Sequence, residues 1–205
     1  MTTVVVDTGI GNLRSVEKAL VAAGASGVVR SSDPEAVRHA DRLVVPGQGG
    51  FGDCRRALAG GLDEAVVERI RGGAPYLGIC LGLQLLFESS EEAPGVAGLG
   101  VLTGTVRRIA PGGSHKVPHM GWNQLELRAP GHPLLDAVGG AGTHVYFVHS
   151  FAAVPSDRGV VRAEVGYGAE RIVAAVAKDN VFAAQFHPEK SQAAGLRLLA
   201  AFARI

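Results

Sequence analysis

Residues 75 to 84 read Pro-Tyr-Leu-Gly-Ile-Cys-Leu-Gly-Leu-Gln. The apolar run from Pro75 to Ile79 follows the helix-stopping pair Gly72-Gly73, so it reads as a buried strand, and it leads directly into Cys80. Leu81 to Ser89 then has the composition of a helix. The stretch Gly78-Ile79-Cys80-Leu81-Gly82 thus has the spacing of a nucleophile elbow, a sharp strand-to-helix turn that lifts its central side chain onto the rim of a sheet. Glycines two residues to either side relieve the crowding at such a turn.

Upstream, three further strand–helix units can be read. Thr2 to Asp7 is a strand, followed by a helix with Leu13, Val16 and Leu20 on one face and Gly24 at its end. Gly27 to Arg30 is a short strand; Asp33-Pro34-Glu35 then supplies a cap, a proline at the first helical position and an acid at the positive helix end, for a helix through Val37. Arg42 to Val45 is a strand closed by the turn Pro46-Gly47-Gln48-Gly49-Gly50, with two helical stretches after it, the second carrying Ala65, Val66, Arg69 and Ile70. Downstream the character changes. Gly100 to Ile109, Trp122 to Leu127, His144 to Val154, Val160 to Val165, Ile172 to Ala177 and Val181 to Phe186 all look extended. The one clear later helix begins at Ser191, with Leu198, Phe202 and Ile205 on one stripe and Leu199 beside it. The expectation is an open, mostly parallel twisted sheet with helices on both faces and an antiparallel extension, formed as a single domain over residues 1–205.

Composition narrows the function. A net charge of +1, with no run of Lys or Arg longer than two, offers no field for nucleic acid. No stretch of eighteen apolar residues is present and no basic segment precedes the first apolar run, so neither a membrane span nor a signal peptide is expected, and a cytoplasmic protein is. Two cysteines, Cys54 and Cys80, are too few for a disulfide scaffold. The turn at 46–50 lacks the Gly-Lys-Ser/Thr of a phosphate loop, and Gly9-Ile10-Gly11 lacks the third glycine of a dinucleotide site. His115 and His119 are separated by a segment containing Pro118, and His144 and His149 face opposite sides of a strand, so no metal is expected. The expectation is no cofactor at all.

A thiol at the elbow gains from the amides and dipole of the following helix, which favour the thiolate. The bland alternative is a buried structural cysteine, the reading adopted for Cys54, which lacks the flanking glycines. A thiolate nucleophile wants a base, and His187, at the end of the strand Phe182 to Phe186, is the best placed of seven histidines. Pro188 ends the ladder, and Glu189, two residues on, points the same way and can hold one imidazole nitrogen. If the strands before Cys80 and His187 run parallel, both lie at the carboxyl edge where open α/β sheets bind ligands; otherwise His187-Pro188-Glu189 is a solvated surface turn. Oxyanion donors would be the amides of Leu81 and of Gln48 or Gly49.

Gly78-Ile79-Cys80-Leu81-Gly82-Leu83-Gln84 together with His187-Pro188-Glu189 resembles the class I, or triad, glutamine amidotransferases. Within them, Asp7 to Leu13, Lys116 to Asn123, Tyr146 to Phe151 and Gln185 to Ser191 are similar to the glutaminase subunits of imidazole glycerol phosphate synthase, over essentially the whole chain. One departure is Gln48, where those subunits usually carry valine; the donor there is a backbone amide, so the chemistry is unaffected. The resemblance implies hydrolysis of glutamine to glutamate and ammonia through a Cys80 thioester, with substrate contacts at Gly47, Gly49, Gln84, Ser150 and Phe151. Gln84 otherwise reads as a surface polar residue. It also implies a heterodimer with a separate (β/α)₈-barrel cyclase subunit, none being fused here, and an interface at Asn12, Met120, Trp122, Asn123, Tyr146 and Lys190. Met120 and Trp122 read as exposed loop residues suited to anchoring a partner, the alternative for Trp122 being core packing. Two other readings keep the same residues: a triad enzyme with another substrate or synthase, such as a γ-glutamyl hydrolase, or a non-catalytic scaffold, in which the triad would be expected to decay. All three triad positions are intact.

Overall fold

The computed structural model describes residues 1–128 and 131–205. The first half alternates strand and helix: β1 (Thr3–Val6), α1 (Leu13–Ala22), β2 (Val28–Ser31), α2 (Pro34–Arg38), β3 (Arg42–Gly47), α3 (Phe51–Ala57), α4 (Leu62–Arg71), β4 (Tyr76–Cys80) and α5 (Leu81–Gln84). The helix starts carry the caps their sequences announce. Asn12 Oδ1 accepts from the Ser15 amide, and Asp33 Oδ1 accepts from the Glu35 amide with Pro34 at the first helical position. The second half contributes β5 (Ser89–Ser90), β6 (Gly104–Arg108), β7 (His119–Gln124), β8 (Glu126–Leu127), α6 (Pro133–Val138), β9 (His144–His149), β10 (Phe151–Pro155), β11 (Val161–Tyr167), β12 (Glu170–Lys178), β13 (Val181–Ala184) and α7 (Gln192–Phe202).

An eight-stranded sheet runs in the order β2-β1-β3-β4-β13-β12-β11-β8. Its first five strands are mutually parallel, and β12, β11 and β8 add to them antiparallel. Side chains alternate between two apolar layers: Val4, Val6, Leu43, Val45 and Tyr76 pack on one face with residues of α2, α3 and α4, while Val5, Val44, Leu77 and Ile79 pack on the other with α1, α6 and α7. Covering both faces is what allows nearly continuous β-branched runs in the parallel strands.

Four expectations are corrected. The extended segments do not all join one sheet: β10-β6-β5 and β7-β9 form two smaller ones. His144 to Val154 is not one strand but breaks at Ser150, β9 pairing with β7 and β10 with β6. The helix after Cys80 stops at Gln84 rather than Ser89, because the Leu99 amide takes the Leu85 carbonyl that the Ser89 amide would need and the Glu88 amide turns away to the Gly104 carbonyl. At the C-terminus α7 ends at Phe202, leaving Ile205 beyond the helix and exposed rather than on its stripe.

Candidate active site

The elbow is built by close packing. Cys80 ends β4 at a φ of +54°, a region L-residues rarely occupy, and this swings its side chain out of the layer that Tyr76 occupies and into the one holding Val5, Val44 and Ile79. A β-carbon on Gly78 would sit 2.6 Å from the Gly82 carbonyl oxygen, and one on Gly82 would sit 1.8 Å from that of Val45. Tyr76 clamps the turn by donating its hydroxyl to the Gly82 carbonyl at 2.7 Å within the core.

β13 lies beside β4, parallel, with Ala184 opposite Ile79, so the ends of both strands meet at one edge. His187 follows there, its amide donating to the Tyr146 carbonyl and its own carbonyl accepting from Ser191 Oγ at 2.7 Å. Its Nδ1 is 2.8 Å from Glu189 Oε1; both side chains are almost wholly buried. Its Nε2 is buried with no hydrogen-bond partner, as is Glu189 Oε2. Burial alone would disfavour the imidazolium, but the neighbouring Cys80 sulfur and the Glu189 carboxylate outweigh it and raise the His187 pKa to about 9. The Cys80 sulfur therefore lies close enough to the imidazole to favour its protonated form.

Cys80 and His187 open onto a cavity of about 360 Å³ lined also by Gln48, Gly49, Leu81, Gln84, Ser150 and Phe151. β3 and β4 pair with Gly47 opposite Cys80, which brings the Gln48–Gly49 turn beside the elbow. Gly47 itself does not line the cavity: it lies behind the turn, where a β-carbon would meet that of Leu81 at 2.5 Å. Gln84 is buried rather than on the surface, donating to the Phe151 carbonyl and to Gln185 Oε1. Two residues at the site went unassigned in the sequence. Glu92 lines the cavity, its Oε2 accepting from the Phe51 amide at 2.8 Å. Gln185 lies under the sulfur, 3.4 Å from it. Neither stands out by spacing, though Gln185, two residues before His187 on the same strand phase, was within reach of the alternation argument.

Met120 and Trp122 are exposed as expected, but on a strand, β7, rather than a loop. Trp122 pairs across β9 with Tyr146, their rings 6.0 Å apart edge to face, and Lys190 Nζ lies 5.7 Å from the centre of the Tyr146 ring. Asn12 is exposed at the α1 cap. Asn123 turns inward instead, donating to the Gly166 carbonyl and meeting His119 Nε2 at 3.2 Å. Cys54 is fully buried, and burial pushes its thiol up to about 11, as befits an inert structural residue. Among the described residues there is no cluster of side chains able to hold a metal ion, and no helix is long and apolar enough to cross a membrane.

The class I glutamine amidotransferase family matches this sequence over residues 4–204. Imidazole glycerol phosphate synthase subunit HisH of Syntrophotalea carbinolica is 48% identical, covering 97% of this chain and 98% of its own, and that of Aquifex aeolicus is 49% identical, covering 100% and 97%. The chain belongs to the HisH family of class I glutamine amidotransferases. The crystal structure of a glutamine amidotransferase superposes on this HisH family member with a TM-score of 0.75 over 98% of this chain and 99% of the other, at 23% identity. PurLQS from Thermotoga maritima gives the same score at 20% identity, over 98% of this chain and 96% of the other, so the fold persists where the sequence has diverged. HisH membership makes this chain a glutamine amidotransferase with the fold expected from its elbow and alternating strands.

Proposed function

We infer that this chain is the glutaminase subunit of imidazole glycerol phosphate synthase, one amidotransferase domain that hydrolyses glutamine and feeds the ammonia to a (β/α)₈-barrel cyclase in histidine biosynthesis. The observation that carries the chemistry is the sharing of one cavity by the Cys80 sulfur and the buried His187–Glu189 pair. The Cys80 thiolate attacks the side-chain amide carbon of glutamine, and the oxygen gains charge opposite the amides of Leu81 and of Gln48 or Gly49. The imidazolium of His187 protonates the departing nitrogen, which leaves as ammonia. His187 then takes a proton from water, whose oxygen displaces sulfur from the thioester and releases glutamate. Glu189 holds the imidazole in one tautomer throughout. Gln84, Ser150 and Phe151, with Gly49, contact the substrate, and Glu92 is the carboxylate placed to meet its ammonium group.

The imidazolium sets the alkaline limit. Above about pH 9 His187 loses its proton and the leaving nitrogen its acid, so kcat/KM for glutamine falls as pH rises through about 9. Glu189→Gln removes a charge that favours the imidazolium and moves that fall down by about one unit or more. A pH–rate profile of glutamine hydrolysis checks this; an unmoved alkaline limb would detach Glu189 from His187.

Ammonia released into water at neutral pH becomes ammonium and loses its nucleophilic lone pair, so the glutaminase must work docked. The exposed patch of Met120 and Trp122, with Tyr146 and Lys190 beside it, supports this face as the docking surface, and the family supports a cytoplasmic heterodimer. Glutamine hydrolysis measured with and without the cyclase tests the reading: strong stimulation by the cyclase is expected, and an activity indifferent to it would redirect the chain to another synthase. Trp122→Ala should weaken the complex about 30-fold in Kd, roughly 2 kcal/mol, by calorimetry, with the isolated chain's folding unchanged.

A further inference from the structure

Gln185 lies one residue beyond the last paired position of β13 and β4, fully buried, with its carboxamide against Cys80. The two ends of a carboxamide differ chemically but look alike, so its direction must be read from its partners. The Phe151 carbonyl can only accept, which makes the Gln84 atom 2.9 Å from it Nε2, a donor. That same Nε2 lies 3.0 Å from Gln185, which must therefore present Oε1 to it and turn its own Nε2 to the sulfur at 3.4 Å.

The chain continues outward with the same logic. His149 Nδ1 donates to the Phe151 carbonyl at 2.9 Å, so its Nε2 accepts from His119 Nδ1 at 3.0 Å, and His119 Nε2 accepts from Asn123 Nδ2 at 3.2 Å. This single assignment of protons requires both imidazoles to be neutral. Burial ensures it, lowering the pKa of His149 to about 3 and that of His119 to about 4. The orientation of the Gln185 amide is fixed by Gln84 and Phe151, and the neutral His149–His119 pair holds the Phe151 carbonyl that anchors them.

We propose that Gln185 is a further catalytic residue of the glutaminase, whose side-chain N–H donates to the Cys80 thiolate and holds the sulfur in its charged, attacking form. A thiolate only accepts, and one as buried as Cys80 needs donors in place of the water it has lost. Among the described residues the Gln185 carboxamide lies within hydrogen-bonding distance of that sulfur, so that beside the imidazolium of His187 it adds a neutral donor to a charged one. The role deepens the reading of Cys80 as nucleophile and rests on it.

Gln185→Met keeps the length of the side chain and removes the donor. In the full chain, the pH profile of Cys80 alkylation by iodoacetamide, read on the Cys80 peptide, should move up by about one pH unit, which is about tenfold less thiolate below the midpoint. Glutamine kcat should fall about tenfold with KM changed less than about threefold. Gln185→Glu, which turns a carboxylate toward sulfur, should move the profile further. A folded Met variant with an unmoved profile would overturn the proposal, since a space-filling role alters stability without altering thiolate reactivity. If neither variant folds, the side-chain amide resonance of Gln185 in the unaltered protein decides: it should shift as Cys80 titrates, and a resonance that ignores the titration overturns the proposal. Full glutaminase activity in Cys80→Ala would instead sink the nucleophile reading itself, so the two failures are distinct.

Discussion

Cys80→Ala abolishes glutamine-dependent imidazole formation, by roughly 10⁴-fold or more, while ammonia-dependent formation by the assembled synthase persists. The thioester is the point at which one difficult hydrolysis becomes two easier steps, and nothing else in the cavity supplies a comparable nucleophile: Cys54 is buried in the core with its thiol pushed up to about 11. Alanine has nearly the volume of the side chain it replaces, and Cys80 is tolerated at a positive φ by its surroundings, so docking to the cyclase should survive. Added ammonium salt bypasses the lost step because the cyclase consumes ammonia whatever its source. Assaying both reactions on the same preparation is the check, and loss of both would argue against a glutaminase role.

Gly82→Ala carries the second large effect, on folding. Its β-carbon would lie 1.8 Å from the Val45 carbonyl oxygen and 2.9 Å from the carbon of that group, which is strand backbone and cannot give way locally. Either α5 lifts from β3 or the elbow opens, and each displaces Leu81 from its close fit against Gly47. A cost of about 3 kcal/mol or more is expected, a fall in Tm of about 6 °C or more, with glutaminase activity lost alongside it. Gly52→Ala, inside α3 with its nearest neighbour the Ala93 side chain at 3.3 Å, is the contrast and should change stability by about 1 kcal/mol at most. Equal effects at both positions would mean that the packing at the elbow is not what matters.

The parallel half of the fold was legible because its information is local. β-Branched runs, caps at Asn12 and Asp33 and glycines beside Cys80 each follow from steric and hydrogen-bonding rules acting over a few residues. What escaped was set by contacts distant in sequence. The Leu99 amide and the Gly104 carbonyl cut the helix short after Gln84 by claiming the Leu85 carbonyl and the Glu88 amide, and Ser150 parts two strands whose apolar pattern runs on without a break. The site divides the same way. Cys80, His187 and Glu189 announce themselves by reactive type and motif, whereas Gln185 and Gln84 matter through each other, and Asn123 is drawn inward by a histidine and a carbonyl from β11.

Because β13 slots between β4 and β12, the order in which the chain leaves the ribosome governs when the thiol becomes competent. For the roughly one hundred residues between Cys80 and Val181, β4 has β3 on one side only, its other edge awaiting β13 and its acid–base partner still to come. The stretch from Val181 onward closes that border and delivers the imidazole in a single event. A polypeptide that ends before Val181 therefore lacks both the imidazole and the strand covering that edge, and an uncovered strand edge is a template for pairing with other chains.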